Sequence, residues 1–294
     1  TLQKKKIYGQ NFQNYSEENM SSNWSVNDLE SWDDRICEKA KEWGLDWFPI
    51  TYEICDYYEM IGHMSYHGMP SHYNHWSFGK SFERTHQMYN LGMSGLPYEL
   101  IINSNPSIAY LMRENPLYLQ VLIMAHCVGH SDFFKNNRCF KNTDPKNIVS
   151  RMRNSKKRIQ SYIEDPEIGI EKVEKFMDAL HAINFQTNRY DIPRKTKAEI
   201  RQAEVDRFNK LKEKGITLNY SNLEKNLLKP DHDLLSFFLE YYPHKFEMWE
   251  LDLIEIVKLE SGYFIPQIKT KILNEGWATF WHYKLLHELT LKDE

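Results

Sequence analysis

Apolar residues recur every three or four positions over most of this chain, a spacing typical of helices that bury one face. The first helix is predicted over 27–43, with Asn27 or Asp28 as its cap and Gly44 at its end. Further helices are predicted at about 55–63, 80–90, 116–133, 166–180, 196–215, 231–242, 246–262 and 268–289. The pattern therefore predicts a mainly helical protein.

Segments rich in aromatic and β-branched residues interrupt these helices. They predict strands at 47–54, 72–78 and 97–104. All of these segments precede the helix predicted at 116–133, and the run 106–114 leads directly into it. We therefore expect an α+β fold, predominantly helical, with a small sheet beside this helix and additional helices around it.

Two histidines stand four residues apart in the segment 121–130, which reads VLIMAHCVGH. Asn115 followed by Pro116 is a favoured helix start, and residues four apart share one face of a helix. His126 and His130 coincide with the apolar face, so both imidazoles are expected to point inward. A buried imidazole needs a partner, and two imidazoles aimed at one point can hold a cation.

The last predicted helix places a carboxylate and another imidazole on its apolar face. The apolar positions are Ile268, Ile272, Leu286 and Leu289. Their alternating four-and-three spacing continues through Glu275, Thr279 and His282. Burying an unpaired carboxylate is costly, whereas a carboxylate that binds a metal is compensated.

His126, His130 and Glu275 together form the three-ligand set typical of catalytic zinc, which leaves one coordination position open. Iron or manganese can use the same set, so the prediction is a divalent metal, with zinc as the best match. His282 is either a fourth ligand or a partner of a ligand. The alternative is a cluster in which these side chains hydrogen-bond to one another without an ion.

Candidates for catalysis and substrate binding lie in the histidine-rich segment 65–90. On the strand predicted there, His72 and Asn74 face one way and His75 the other. We assign His72 and Asn74 to substrate binding and His75 to polarising a substrate oxygen, with packed strand residues as the alternative. Glu83 is the candidate general base, with an exposed helix carboxylate as the alternative.

Five longer motifs carry a family resemblance: HYNHWSFGKSFE, YELIINSNPSIAYLM, MAHCVGH, SDFFKNN and NEGWATFWH. From about Trp47 to the C-terminus the chain closely resembles the bacterial stage V sporulation protein R (SpoVR) family. The resemblance implies a role in forming the spore cortex, a modified peptidoglycan. It also implies a single domain at 26–294, and it implies that a C-terminal region of the family is absent. We expect an irregular arm at 1–25 and a charged helical insertion at about 141–230.

The His-x-x-x-His helix followed by Asn-Glu-Gly-aromatic-Ala also resembles, more distantly, the gluzincin metallopeptidases. This resemblance implies a zincin-like core in which Glu275 is the third metal ligand. Those peptidases carry a catalytic Glu directly after the first histidine, where this chain has Cys127. A thiol is a poor substitute for a carboxylate base, and Cys127 is expected to be a small buried apolar residue. Asp132, on another face of the helix, is expected to make a local structural contact.

Two functions are compatible with these features. The first is a metal-dependent hydrolase of amide bonds, acting on peptidoglycan precursors or on a protein of cortex assembly. The second is a non-catalytic, zincin-like regulatory or scaffold protein that has lost its base. An open metal position in a cleft favours the first, and a closed or metal-free polar cluster favours the second.

Composition narrows the range of partners. The chain has 294 residues, of which 41% are hydrophobic, enough to bury a large core, and its net charge of −4 gives no general attraction to nucleic acids. Apolar runs stay below the about 18 residues that span a bilayer, and no apolar signal segment follows the N-terminal TLQKKKIYGQ. Four cysteines without a C-x-x-C pair fit reduced thiols, so a cytoplasmic location is expected. The oligomeric state is left open.

Overall fold

The computed structural model describes residues 24–92, 99–187, 196–216 and 233–291. These residues divide into two compact units, one formed by those up to Ser161 together with those from Gln267 onward, and the other by those between Tyr162 and Pro266. The described part of the chain is mostly helical and includes one three-stranded sheet. The α+β, predominantly helical class expected from the sequence is therefore confirmed.

The first unit begins with helix α1, Val26–Glu42. Its cap is Ser25, two or three residues before the predicted cap, because Ser25 and Asp28 satisfy each other's backbone N–H groups in a capping box. Gly44 follows the helix with a φ of +83°, a conformation that favours glycine and turns the chain toward the sheet.

The sheet contains strands β1, Ile50–Cys55, β2, Glu99–Ile102, and β3, Ser107–Met112. Its order is β1-β3-β2, with β1 parallel to β3 and β2 antiparallel to β3. The predicted strands at 47–54 and 97–104 are confirmed as β1 and β2. The sequence pattern does not predict the central strand β3, because the run 106–114 leads directly into the next helix.

The predicted strand at 72–78 is wrong. Helix α2, Tyr57–Ser65, is followed after a loop by helix α3, Trp76–Asn90, which includes the helix predicted at 80–90 but begins earlier. The earlier start has a local cause, because the ring of His75 accepts a hydrogen bond from the backbone N–H of Ser77 and so caps α3.

Helix α4, Leu117–Asn136, is the central helix of the first unit. It starts one residue later than predicted, with Pro116 as its cap. It is buried on nearly all sides rather than along one stripe, since it packs against α1 and the sheet. The hydroxyl groups of Ser107 and Ser131 lie 3.1 Å apart, so alternate residues of β3 face α4.

The first unit also contains helix α5, Ile148–Glu164, as far as Ser161, and the residues of the last helix, Met248–Leu291, from Gln267 onward. Ile268 and Ile272 in that helix are 57% and 88% exposed, whereas Ala278 and Leu285 are completely buried. The predicted inward face is therefore wrong at Ile268 and Ile272, whereas Leu286 and Leu289 are partly buried against the core as predicted. Apolar residues occupy both faces of this helix, so their spacing alone does not select the buried one.

The second unit contains helices α6, Gly169–Ile183, α7, Lys197–Glu213, and α8, Leu234–Tyr241. The long helix Met248–Leu291, which becomes α9, contributes its residues up to Pro266 to this unit. Phe176 of α6 packs against Phe246 and Trp249, which provides an aromatic core. Within the described residues, no helix has the length and apolar character needed to cross a bilayer.

Candidate metal centre

Four side chains from three elements of the first unit converge on one point. Glu99 comes from β2, His126 and His130 from α4, and Glu275 from α9. One nitrogen or oxygen atom from each side chain lies within 4.8 Å of all the others. The three ligands predicted from the sequence are thus brought together, and Glu99 joins them.

The distances between these atoms match the spacing around a small cation. His126 Nε2 is 3.1 Å from Glu99 Oε1 and 3.6 Å from Glu275 Oε2, and the same oxygens are 3.5 and 3.7 Å from His130 Nε2. Ligands bound at 2.0–2.2 Å around a tetrahedral ion are separated by about 3.3 Å. These four distances are compatible with a divalent ion such as zinc at the centre of the group.

Close packing of α4 against α9 creates this convergence. Gly129 lies between the two histidines, and a Cβ atom added to it would be 2.7 Å from the Cα of Ala278. Only glycine permits such a close backbone approach, which brings Glu275 opposite His126 and His130. The four-residue spacing of the histidines on α4 then directs both rings toward the same carboxylate.

Glu99 reaches the site because of strand pairing. It lies opposite Leu111 on β3, and Ile101 lies opposite Ala109. Leu111 and Ala109 are on the side of β3 that packs into the core with α4, so Glu99 shares that side. The sequence analysis missed Glu99, although its alternation with Ile101 in the predicted strand was a usable signal.

Contacts at the Nδ1 atoms orient both histidine rings. His130 Nδ1 lies 2.9 Å from Asn274 Oδ1 and donates its hydrogen there, while His126 Nδ1 lies 2.7 Å from His282 Nδ1. Both Nε2 atoms consequently face the carboxylates, and each can bind a metal ion once it has lost its proton. His282 is thus positioned as a partner of His126 rather than within the group of four. Asn274 was not singled out in the sequence, although it directly precedes Glu275.

The electrostatics of the site favour a positive charge at its centre. Burial raises the pKa of Glu99, but hydrogen bonds from His126 and His130 outweigh it and lower that pKa to about 2. The hydrogen bond from His126 likewise lowers the pKa of Glu275. Burial lowers the pKa of His126, but its hydrogen bonds to Glu275 and Glu99 raise it to about 9. Without a metal, the protein thus places a proton on His126 where a cation would otherwise balance the carboxylates.

Access to the site is from the side of α9. The exposed fraction of the side chain increases from 4% for His130 to 51% for Glu275. A ligand arriving from solvent would therefore meet the carboxylate of Glu275 first. The imidazoles stay shielded beneath it.

The residues assigned to catalysis and substrate binding lie outside the group of four. His72 is buried and contacts Tyr66 and Phe78, and His75 is buried at the start of α3. Asn74 is exposed in the loop before α3. The carboxylate of Glu83 is exposed on α3, where it accepts a hydrogen bond from Gln87 at 2.8 Å.

Two further residues of α4 have clear surroundings. Cys127 is completely buried in the apolar core, and burial, with a further contribution from the charges of Glu99 and Asp33, raises the pKa of its thiol. Its expected role as a small apolar residue is supported. Asp132 was expected to make a local contact, but its carboxylate also reaches Trp277 on α9.

Comparisons with known proteins agree with the sequence motifs. Residues 23–294 match the family model described as SpoVR like protein. The chain is 37% identical over 281 residues to a protein of Escherichia coli (strain K12) described as uncharacterized protein YcgB. That alignment covers 90% of this chain and 54% of the relative, so the chain spans about half the length of the relative it matches. No solved structure matches.

Proposed function

Because the chain belongs to the SpoVR-like family and assembles two imidazoles and two carboxylates around one point, we propose that it is a metal-dependent hydrolase of amide bonds. The observation that carries the proposal is the set of distances near 3.3 Å between the ligand atoms of different elements. Family membership suggests a sporulation-related role. The proposed substrates are amide bonds in peptidoglycan precursors or in a cytoplasmic protein that acts in assembly of the spore cortex.

The metal ligands in this proposal are His126, His130 and Glu275, arranged in a zincin-like core. A bound zinc ion would polarise a substrate carbonyl and lower the pKa of a coordinated water to about 7. Asn274 accepts from Nδ1 of His130 and so favours the tautomer whose Nε2 is free to bind, while His282 orients the ring of His126 through Nδ1.

Glu99 supplies the carboxylate that the gluzincin pattern has at the position of Cys127. It approaches from the edge strand instead of from the histidine helix, and its oxygen lies 3.1 Å from His126 Nε2. A carboxylate this close to the reacting centre can accept a proton from the attacking water and pass it to the leaving amine. Glu83 is less well supported in this role because it is exposed and already accepts a hydrogen bond from Gln87.

The same distances support a second candidate function, a non-catalytic scaffold with a structural metal. Glu99 is as close to the imidazoles as Glu275 is, so all four residues can bind one ion and leave no position for water. Four protein ligands are typical of structural zinc.

Metal analysis of Glu99→Gln separates the two functions. Protein purified without chelators is expected to contain about one zinc-like ion per chain, and His126→Ala is expected to contain none. His86→Ala, which removes an imidazole from α3, is the matched control and should keep the ion. If Glu99 is the base, Glu99→Gln should keep the ion and no longer cleave muramyl peptide substrates. If Glu99→Gln loses the ion, Glu99 is a metal ligand, which supports the scaffold function. Equal absence of metal from wild type and His126→Ala would contradict both.

A further inference from the structure

Helix α9 is tied to helix α4 by a hydrogen bond that involves no proposed metal ligand. The indole Nε1 of Trp277 donates to Asp132 Oδ2 at 2.9 Å. The other oxygen, Oδ1, accepts from the backbone N–H of Asp46 at 2.9 Å and from the side chain of Asn136 at 3.1 Å. The buried carboxylate of Asp132 thus joins α4, α9 and the segment before β1.

This hydrogen bond lies close to the metal site along both helices. Asp132 is two residues after His130, and Trp277 is two residues after Glu275. The contact of Gly129 with Ala278 sets the separation of the helices, and the hydrogen bonds of His130 to Asn274 and of His126 to His282 attach α9 through the imidazoles of the site itself. The Asp132–Trp277 hydrogen bond is a further attachment, and it does not depend on how the histidine rings are oriented.

A small turn of α9 would be enough to disrupt coordination. Side-chain ends lie about 5–6 Å from the helix axis, so a 20° turn would move the carboxylate of Glu275 by about 2 Å. Metal–ligand distances tolerate deviations of only about 0.2 Å. The orientation of α9 therefore has to be fixed far more tightly than apolar packing alone requires.

We propose that the Asp132–Trp277 hydrogen bond sets the rotation of α9 and thereby holds Glu275 opposite His126 and His130. Asp132 and Trp277 are then positioning residues of the metal site. The inference rests on the proposed function, because it assigns these residues to a site that binds a metal.

The chain offers a matched pair of substitutions to test this. Trp277→Phe keeps an aromatic ring and removes the indole N–H. Trp281→Phe does the same one turn further along α9, where Trp281 Nε1 is buried with no hydrogen-bond partner among the described residues. Both substitutions therefore replace an indole on α9 with a smaller phenyl ring, and only Trp277→Phe removes a hydrogen bond.

Zinc affinity and the absorption spectrum of the cobalt-loaded protein are the first two readouts. We expect Trp277→Phe to bind zinc about 10–100-fold more weakly than wild type, as changes to the partners of metal ligands do, with an altered cobalt spectrum. Trp281→Phe should match wild type in both. Asp132→Asn should weaken zinc binding, and adding Trp277→Phe to it should cause little further loss because the two residues act through one bond.

Hydrogen exchange of the metal-free proteins over 274–282 is the third readout. Exchange in this stretch should be faster in Trp277→Phe than in Trp281→Phe, since only the first substitution removes a hydrogen bond between α9 and α4. Equal zinc affinities would overturn the positioning role while leaving the proposed function intact. A wild type without metal affinity would overturn the proposed function, and the exchange comparison alone would then decide whether the hydrogen bond fixes α9.

Discussion

Replacing Gly129 with alanine should disrupt the metal centre more than it disrupts the fold. The new Cβ would lie 2.7 Å from Ala278 Cα and 3.3 Å from Ala278 Cβ, whereas ordinary contacts begin at 3.4 Å. Because the closest neighbour is a backbone atom of a helix, it cannot swing aside as a flexible side chain would. Helix α9 must therefore move away from α4 by about 0.7 Å.

The expected change in stability is small. Overpacking a core costs about 1–3 kcal/mol, while an alanine in a helix recovers about 1 kcal/mol relative to glycine. The free energy of unfolding should consequently fall by about 0–2 kcal/mol, which a domain of ordinary stability survives. A shift of about 0.7 Å nevertheless exceeds the about 0.2 Å that coordination distances tolerate. Zinc affinity should thus decrease by a factor on the order of 10–100, similar to changes in the partners of metal ligands.

Gly276→Ala provides the control on the facing helix. A Cβ at Gly276 would meet nothing within 4 Å, so this variant should gain about 0.5–1 kcal/mol in unfolding free energy and keep wild-type metal affinity. Denaturant unfolding with circular dichroism measures the stability of both variants, and competition with a chromophoric chelator measures their affinity. Wild-type affinity in a folded Gly129→Ala protein would refute the argument that this contact sets the geometry of the site.

Three further predictions concern individual side chains. Asn274→Ala should weaken zinc binding about 10–100-fold, because the ring of His130 is released. Asn274→Asp should bind zinc as wild type does, since a carboxylate accepts the same hydrogen bond. Equal zinc affinities in these two variants would contradict the role of Asn274 in orienting His130. Burial lowers the pKa of His126, but Glu275 and Glu99 raise it to about 9, so zinc must displace a proton and its apparent affinity should rise with pH until about 9. In the metal-free protein the stabilisation from this proton is complete below the unfolded pKa near 6.5 and disappears as the pH rises through 9. Competition titrations at several pH values test the first statement, and denaturant unfolding of the metal-free protein over the same range tests the second. An affinity or a stability that did not change with pH would contradict the corresponding statement. Cys127→Ala should leave metal content unchanged and lower stability by about 1 kcal/mol, and loss of metal from a folded variant would instead make the thiolate a ligand.

The amino-acid sequence by itself determined the helical character of the chain and the core of the candidate site. The four-residue interval between His126 and His130 places both rings on one side of a helix whatever that helix packs against. The capping boxes at Ser25 and Thr196 are likewise local, since each depends on residues within one turn. Such features depend on neighbours along the chain, and short-range patterns describe them well.

Only the tertiary structure decided which other residues meet these histidines. Glu99 belongs to the site because β2 pairs with β3 in a register that turns it toward α4. Ile272 faces solvent and Ala278 faces the core because the backbone of α9 packs at Ala278 directly against Gly129 of α4. Strand register and helix rotation are set by packing between segments far apart in the sequence, and apolar spacing along one segment does not contain that information.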